Sequence, residues 1–285
     1  MDARYRPFLW IVPLVTLGIA FVTFMEHDDG PRPIEYLSIS AFVGTLFGQA
    51  ALAAVWAALG PLRLRWRLPL SMIWLVVLIA GLGVNMAIHS PGGGDAIEFM
   101  AVIGGCLLAL WTLMLLPLGS LAVWHGLRIR HRTEPGRPPQ PRDRQFGIRQ
   151  VMIVTAVVGV VLGLGRALIV WLLSQESVRD GEPLIFVFLA IAGVVMMLPL
   201  VLAALLPRWA VPASLAVLVL IGLATTWEAS LFNLLPRRGG APDYWHFLLI
   251  NAFTAFWVLG VITLVRLGGF GLVPAGSMTS AQQSP

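Results

Sequence analysis

Four polar side chains interrupt apolar runs of this chain, and they are of the types that hold or move charge: Arg166, Glu228, Asn85 and Asn251. Arg166 lies within VVGVVLGLGRALIV, residues 157–170, and Glu228 within ATTWEASLF. A guanidinium and a carboxylate in apolar surroundings are each costly, and a facing pair is the simplest arrangement that lowers both costs. Thr155, Gly159, Gly163 and Arg166 follow at spacings of four, four and three, so they share one helix face. Gly159 and Gly163 form a small-xxx-small pair that admits a close neighbour, so Arg166 is expected to point into a helix bundle. Ser71 and Asn85 are 14 residues apart, as are Ser214 and Glu228. Each pair then lies on one helix face, about four turns apart.

Other chemistry has weaker support. His27, His89 and His246 are expected on the outer side along with Glu26, Asp28, Asp95 and Glu98, but their spacings match no ligand pattern, and no metal site is expected. Gly92-Gly93-Gly94-Asp95 lacks the Lys-Ser/Thr of a phosphate loop and reads as a turn. No GxSxG, HExxH or paired intramembrane aspartate is present, so no catalytic or cofactor-binding residue is assigned and no cofactor is expected. Cys106 is the single cysteine, lies in an apolar run and reads as a small buried hydrophobe.

The elements that must position these residues follow from composition. The chain has 285 residues, 58% hydrophobic and only 12% charged, against about a quarter charged in soluble domains. It is expected to be an all-α integral membrane protein. Runs of about 19–29 apolar residues, long enough for a hydrocarbon core of about 30 Å, recur near 7–25, 36–60, 68–88, 97–125, 149–174, 183–206, 210–234 and 244–266. In lipid such runs must be helices, because every backbone polar group needs an internal partner. Eight transmembrane helices are therefore expected. Pro69 and Pro212 fit first turns, whereas Pro13, Pro117 and Pro199 fall inside spans and predict kinks. The N-terminal run has the charge order of a signal peptide but no small-residue cleavage pattern before EHDD, so it reads as a retained span.

Charge sets the sidedness. With eight crossings, Arg4, Arg6, Arg63, Arg65, Arg67, Arg128, Arg130, Arg132, Arg137, Arg142, Arg144, Arg149, Arg208 and Arg266 all fall on the side of the termini. Only Arg32, Arg179, Arg237 and Arg238 fall opposite, among most of the acidic residues. Positive charge is retained in the cytoplasm, so both termini are expected there, in a bacterial cytoplasmic (inner) membrane. Trp66, Trp124 and Trp209 would mark the cytoplasmic interface and Trp171, Trp227 and Trp245 the outer one.

Residues 126–148 form a basic, Pro/Arg-rich cytoplasmic linker between a first four-span half, 1–125, and a second, 149–270, followed by a polar tail, 271–285. The linker arginines suffice to enforce topology, and anionic lipid headgroups are their expected partners, with no nucleic acid. The halves also look alike. Arg65-Trp66-x-x-Pro69-x-Ser71-x-x-x-Leu75-Val76 aligns with Arg208-Trp209-x-x-Pro212-x-Ser214-x-x-x-Leu218-Val219 at an offset of 143, which pairs Asn85 with Glu228. Ala109-x-Trp111-x-Leu113 is similar to Ala255-x-Trp257-x-Leu259 at an offset of 146. Repeats with an even number of spans would be parallel.

Phe146-Gly147-Ile148-Arg149-Gln150-Val151-Met152, leading into a long apolar helix, and Val265-Arg266-Leu267-Gly268-Gly269-Phe270, closing the last, resemble segments of uncharacterised multi-pass membrane proteins of planctomycete-type bacteria. The resemblance covers about 30 residues and implies a bacterial cytoplasmic membrane. It implies no activity.

Arg166, about 17 residues into its span, lies about 25 Å from the cytoplasmic start, near the outer edge of the core. Glu228 and Asn251 fall in the same outer layer, and Gln49 nearer the middle. Three arrangements fit: Arg166 snorkelling to the outer headgroups, an ion pair to Glu228, or a polar pocket open to the outside. The expected function is a non-enzymatic scaffold or accessory subunit that packs with itself or with partner membrane proteins. The alternatives are a small-solute permease using Arg166 and Glu228, and an outer-leaflet lipid-processing enzyme using His89 or Glu98.

Overall fold

The computed structural model describes residues 32–60, 64–89, 94–124, 127–131, 193–201, 210–234 and 244–273. These form six helices and two short strands: α1 (Arg32–Leu59), α2 (Leu64–His89), α3 (Gly94–Trp124), β1 (Arg128–His131), α4 (193–201), α5 (Ala210–Leu234), α6 (Tyr244–Leu267) and β2 (Phe270–Val273). The expected spans 7–25 and 149–174, and most of 183–206, lie outside the described residues.

Four helices contain stretches long and apolar enough to cross a membrane: Ser40–Leu59, Trp66–Gly83, Val102–Ala122 and Tyr244–Leu267. A shorter apolar stretch, Leu215–Ser230, lies in α5. Outward-facing side chains fit a lipid surround. On α5, Leu215, Leu218, Val219 and Leu223 are each more than 60% exposed, and Ile73, Val76 and Val77 of α2 are also exposed. Such stripes would be an aggregation surface in water, and they are ordinary against acyl chains.

α1 is the central helix. Residues 44–51 are buried without a break, so no face of α1 is left open over two turns. Small residues make this feasible: Gly44, Gly48, Ala50, Ala51, Ala54, Ala57 and Ala58 let neighbouring backbones approach. Lipid tails are as apolar as leucine, so helices in a bilayer associate through close packing and hydrogen bonds rather than through water exclusion. The tightest approach is between α1 and α6. A Cβ at Gly44 would lie 2.6 Å from the Ile250 carbonyl oxygen and 2.8 Å from the Phe253 Cβ. One at Gly48 would lie 3.0 Å from the Trp257 Cβ. Contacts advance along both helices together, so α1 and α6 are parallel.

α2 and α3 interlock at Gly83 against the Met100 side chain and at Gly104 against Ile79. α4 packs on α3 through Gly193 and Leu110, and its Met196, Met197, Leu200 and Val201 are buried. The core runs from Phe42 and Leu46 through Leu75, Leu107, Trp111 and Met114 to Val258 and Ile262.

β1 and β2 pair antiparallel in the register Arg128↔Val273, Ile129↔Leu272, Arg130↔Gly271, His131↔Phe270. The ribbon requires α3 and α6 to end at the same end of the bundle. α6 closes with Gly268 N–H donating to the Leu264 carbonyl and Gly269 N–H to the Arg266 carbonyl, each at 2.9 Å. Gly269 takes φ of 82°, a left-handed conformation open to glycine at little cost, and this turns the chain into β2. Ile129 and Phe270 are buried under the bundle.

Two expectations shift. α1, α2 and α3 each start three or four residues before the expected apolar run, and with α2 beginning at Leu64, Pro69 lies in its second turn rather than its first. The physical reason is Arg67. Its Nη1 donates to the Ala58 carbonyl at 3.0 Å and to the Gly60 carbonyl at 2.8 Å, closing the C-terminal end of α1 and anchoring an early, polar first turn of α2. Arg67 is buried, so it does more than set topology. Pro117 lies inside α3 as expected, while Pro212 falls in the first turn of α5.

Candidate functional site: a buried polar cluster between α5 and α6

α5 places Thr225 and Glu228 three residues apart, on one face. α6 presents Asn251 to that face. The Asn251 Nδ2 donates to Glu228 Oε2 at 2.6 Å and also approaches Thr225 Oγ1 at 3.3 Å. The first distance is below the usual value of about 2.9 Å for N–H···O, a close contact between amide and carboxyl group. All three side chains are shielded: Thr225 is 0%, Glu228 2% and Asn251 3% exposed. Glu228 Oε1 is buried with no hydrogen-bond partner among the described residues.

The cluster continues into the core along α6, whose buried positions Phe247, Asn251, Thr254, Ala255, Val258, Val261, Ile262 and Val265 follow helical spacing. Thr254 Oγ1 donates to the Ile250 carbonyl at 2.7 Å and reaches the Gly44 carbonyl of α1 at 3.0 Å. One turn on, Trp257 Nε1 donates to Thr45 Oγ1 at 2.6 Å, and that hydroxyl donates to the Ala41 carbonyl at 2.6 Å. These groups are satisfied within the helices and act as glue. Glu228 alone brings a carboxylate.

The structure thus joins two of the four residues marked in the sequence, Glu228 and Asn251. Arg166 lies outside the described residues. Asn85 belongs to α2, but its side chain lies outside them as well. Gln49 is buried on α1, and Ser71 Oγ donates to the Leu68 carbonyl at 2.8 Å. Among the described residues no group of three or more His, Cys, Asp or Glu is placed to hold a metal ion. Sequence reasoning missed Thr225, although its place three residues before Glu228 marked a shared face. It also missed Gly44 and Gly48, although Gly-x-x-x-Gly in an apolar run is a signal for close helix approach.

No protein-family model matches the chain, and no curated protein or solved structure was found to be similar to it.

Proposed function

We propose that the chain is a small permease of a bacterial cytoplasmic membrane, with eight spans, cytoplasmic termini and a polar site centred on Glu228. One observation carries the reading. A carboxylate 98% removed from solvent, with one oxygen held by Asn251 and the other without a partner among the described residues, sits between two apolar helices. Ionisable groups inside a membrane are expensive and by default mark a pathway or a ligand. The eight-span threading is supported by the parallel run of α1, α3 and α6, the directions required of second, fourth and eighth crossings.

Water access tests the reading. In a Cys106→Ala background, single cysteines at Thr225 and Gly163 are treated from outside with a membrane-impermeant thiol reagent. Labelling at Thr225 is the expected result. Protection at both positions would mean a dry contact and would sink the permease.

The second reading is a scaffold or accessory subunit. The backbone approach of α1 and α6 at Gly44 and Gly48 favours it, because such packing makes a rigid body. In either case the linker arginines are proposed to meet anionic lipid headgroups.

A further inference from the structure

We infer that Glu228, Thr225 and Asn251 form the seat of a monovalent cation, with sodium as its simplest occupant. The inference deepens the permease reading and rests on the same cluster. Its chemistry comes from the donor set. Glu228 Oε1 is buried and has no hydrogen-bond partner among the described residues, so no donor there engages its lone pairs. Thr225 Oγ1 lies one helical turn away on the same face, drawn toward the carboxylate through their shared donor, the Asn251 amide. The same amide carries a carbonyl oxygen.

All available ligands are therefore hard oxygens, with neither thiolate nor imidazole among them. Such sets select alkali, alkaline-earth or proton-like partners over soft metals. Charge narrows the choice. One carboxylate balances one positive charge, and a divalent ion would leave an uncompensated charge in a low-dielectric interior, which is strongly unfavourable. Asn251 has a second role. By engaging Oε2, it leaves Oε1 as the oxygen without a partner among the described residues. The cluster thereby gathers a carboxyl group, a hydroxyl and an amide at the α5–α6 interface.

The full chain in lipid nanodiscs is tested for binding of radioactive sodium, with N-methylglucamine chloride holding the ionic strength constant. Saturable binding is expected, weakened about 10-fold or more by Glu228→Gln and by Thr225→Val, and kept by Thr225→Ser, which restores the hydroxyl. Monodisperse gel filtration of each variant separates lost binding from lost folding. Absence of sodium binding in the natural chain, or its survival in Glu228→Gln, would overturn the inference. Binding that arises only in Arg166→Gln would mean that the guanidinium occupies the seat, and would also overturn it. The permease reading fails separately: sodium binding together with full protection of the Thr225 and Gly163 cysteines would leave the cation seat standing and remove the pathway. Labelling without sodium binding would do the reverse.

Discussion

The Asn251 amide holds the Glu228 carboxyl group across the α5–α6 interface at 2.6 Å, with Thr225 and both partners buried. It joins α5 to α6 through a polar contact that apolar packing alone could not supply. Its strength is measurable.

A double-mutant cycle of Glu228→Gln and Asn251→Ala is expected to give a coupling of about 1.5–3 kcal/mol, the range for hydrogen bonds to charged groups. Neutral side-chain bonds between membrane helices average about 0.6 kcal/mol. Reversible unfolding in mixed micelles reads the difference. A coupling near the lower figure would mean that the pair acts as an ordinary polar contact.

Glycine substitutions should rank by the space each finds. Gly44→Ala meets the Ile250 carbonyl at 2.6 Å and is expected to cost about 1–3 kcal/mol, as overpacking does. Gly48→Ala, with a nearest contact of 3.0 Å, should cost less. Gly81, Gly222 and Gly260 have nothing within 4 Å. Alanine there should be neutral or stabilising by up to about 1 kcal/mol through helix propensity. Melting temperatures in detergent check the order, and an equal cost at all five positions would contradict the α1–α6 approach.

Arg67→Met keeps the apolar stem but removes the donors to the Ala58 and Gly60 carbonyls. A loss of about 1.5–3 kcal/mol is expected. Both bonds leave the one Nη1, so Arg67→Lys, whose ammonium carries three donors but on a stem one atom shorter, should recover only part of it. Full recovery by lysine would reduce the role of Arg67 to its charge.

The ribbon register predicts a crosslink. With Cys106 replaced by alanine, cysteines at Arg130 and Gly271, which are direct Cα partners, should form a disulfide on mild oxidation of isolated membranes. The offset pair at Arg130 and Val273 should not. Gly269→Ala, which forces a side chain into φ of 82°, should weaken the crosslink, at a cost of about 1–2 kcal/mol. Equal yields from both cysteine pairs would mean that the strands have no fixed register.

The helices were legible in the sequence because membrane spans announce themselves by length and apolarity. The expected 210–234 and 244–266 fall within a residue of α5 and α6. The pairing of Glu228 with Asn251 was legible only as a shared depth, since depth follows from counting residues but facing requires knowing which helices are neighbours. Arg67 was read as one of many topology charges. Its reach back to α1 depends on how the start of α2 lies against the end of α1, which residue type does not encode. The ribbon was invisible for a different reason: RIRH and FGLV are too short to show a strand period, and their pairing joins positions more than 130 residues apart.

The ribbon, together with the α1–α6 packing, has a consequence for chain integrity. Both join residues before position 132, the ribbon from within the first part of the 126–148 segment, to residues after position 148. Cleavage within 132–148 would therefore leave two fragments clasped at the ribbon and along the length of a helix pair. The chain is expected to tolerate being expressed as two separate polypeptides that reassemble, with its continuity held by tertiary contacts and not by the peptide bonds of the linker.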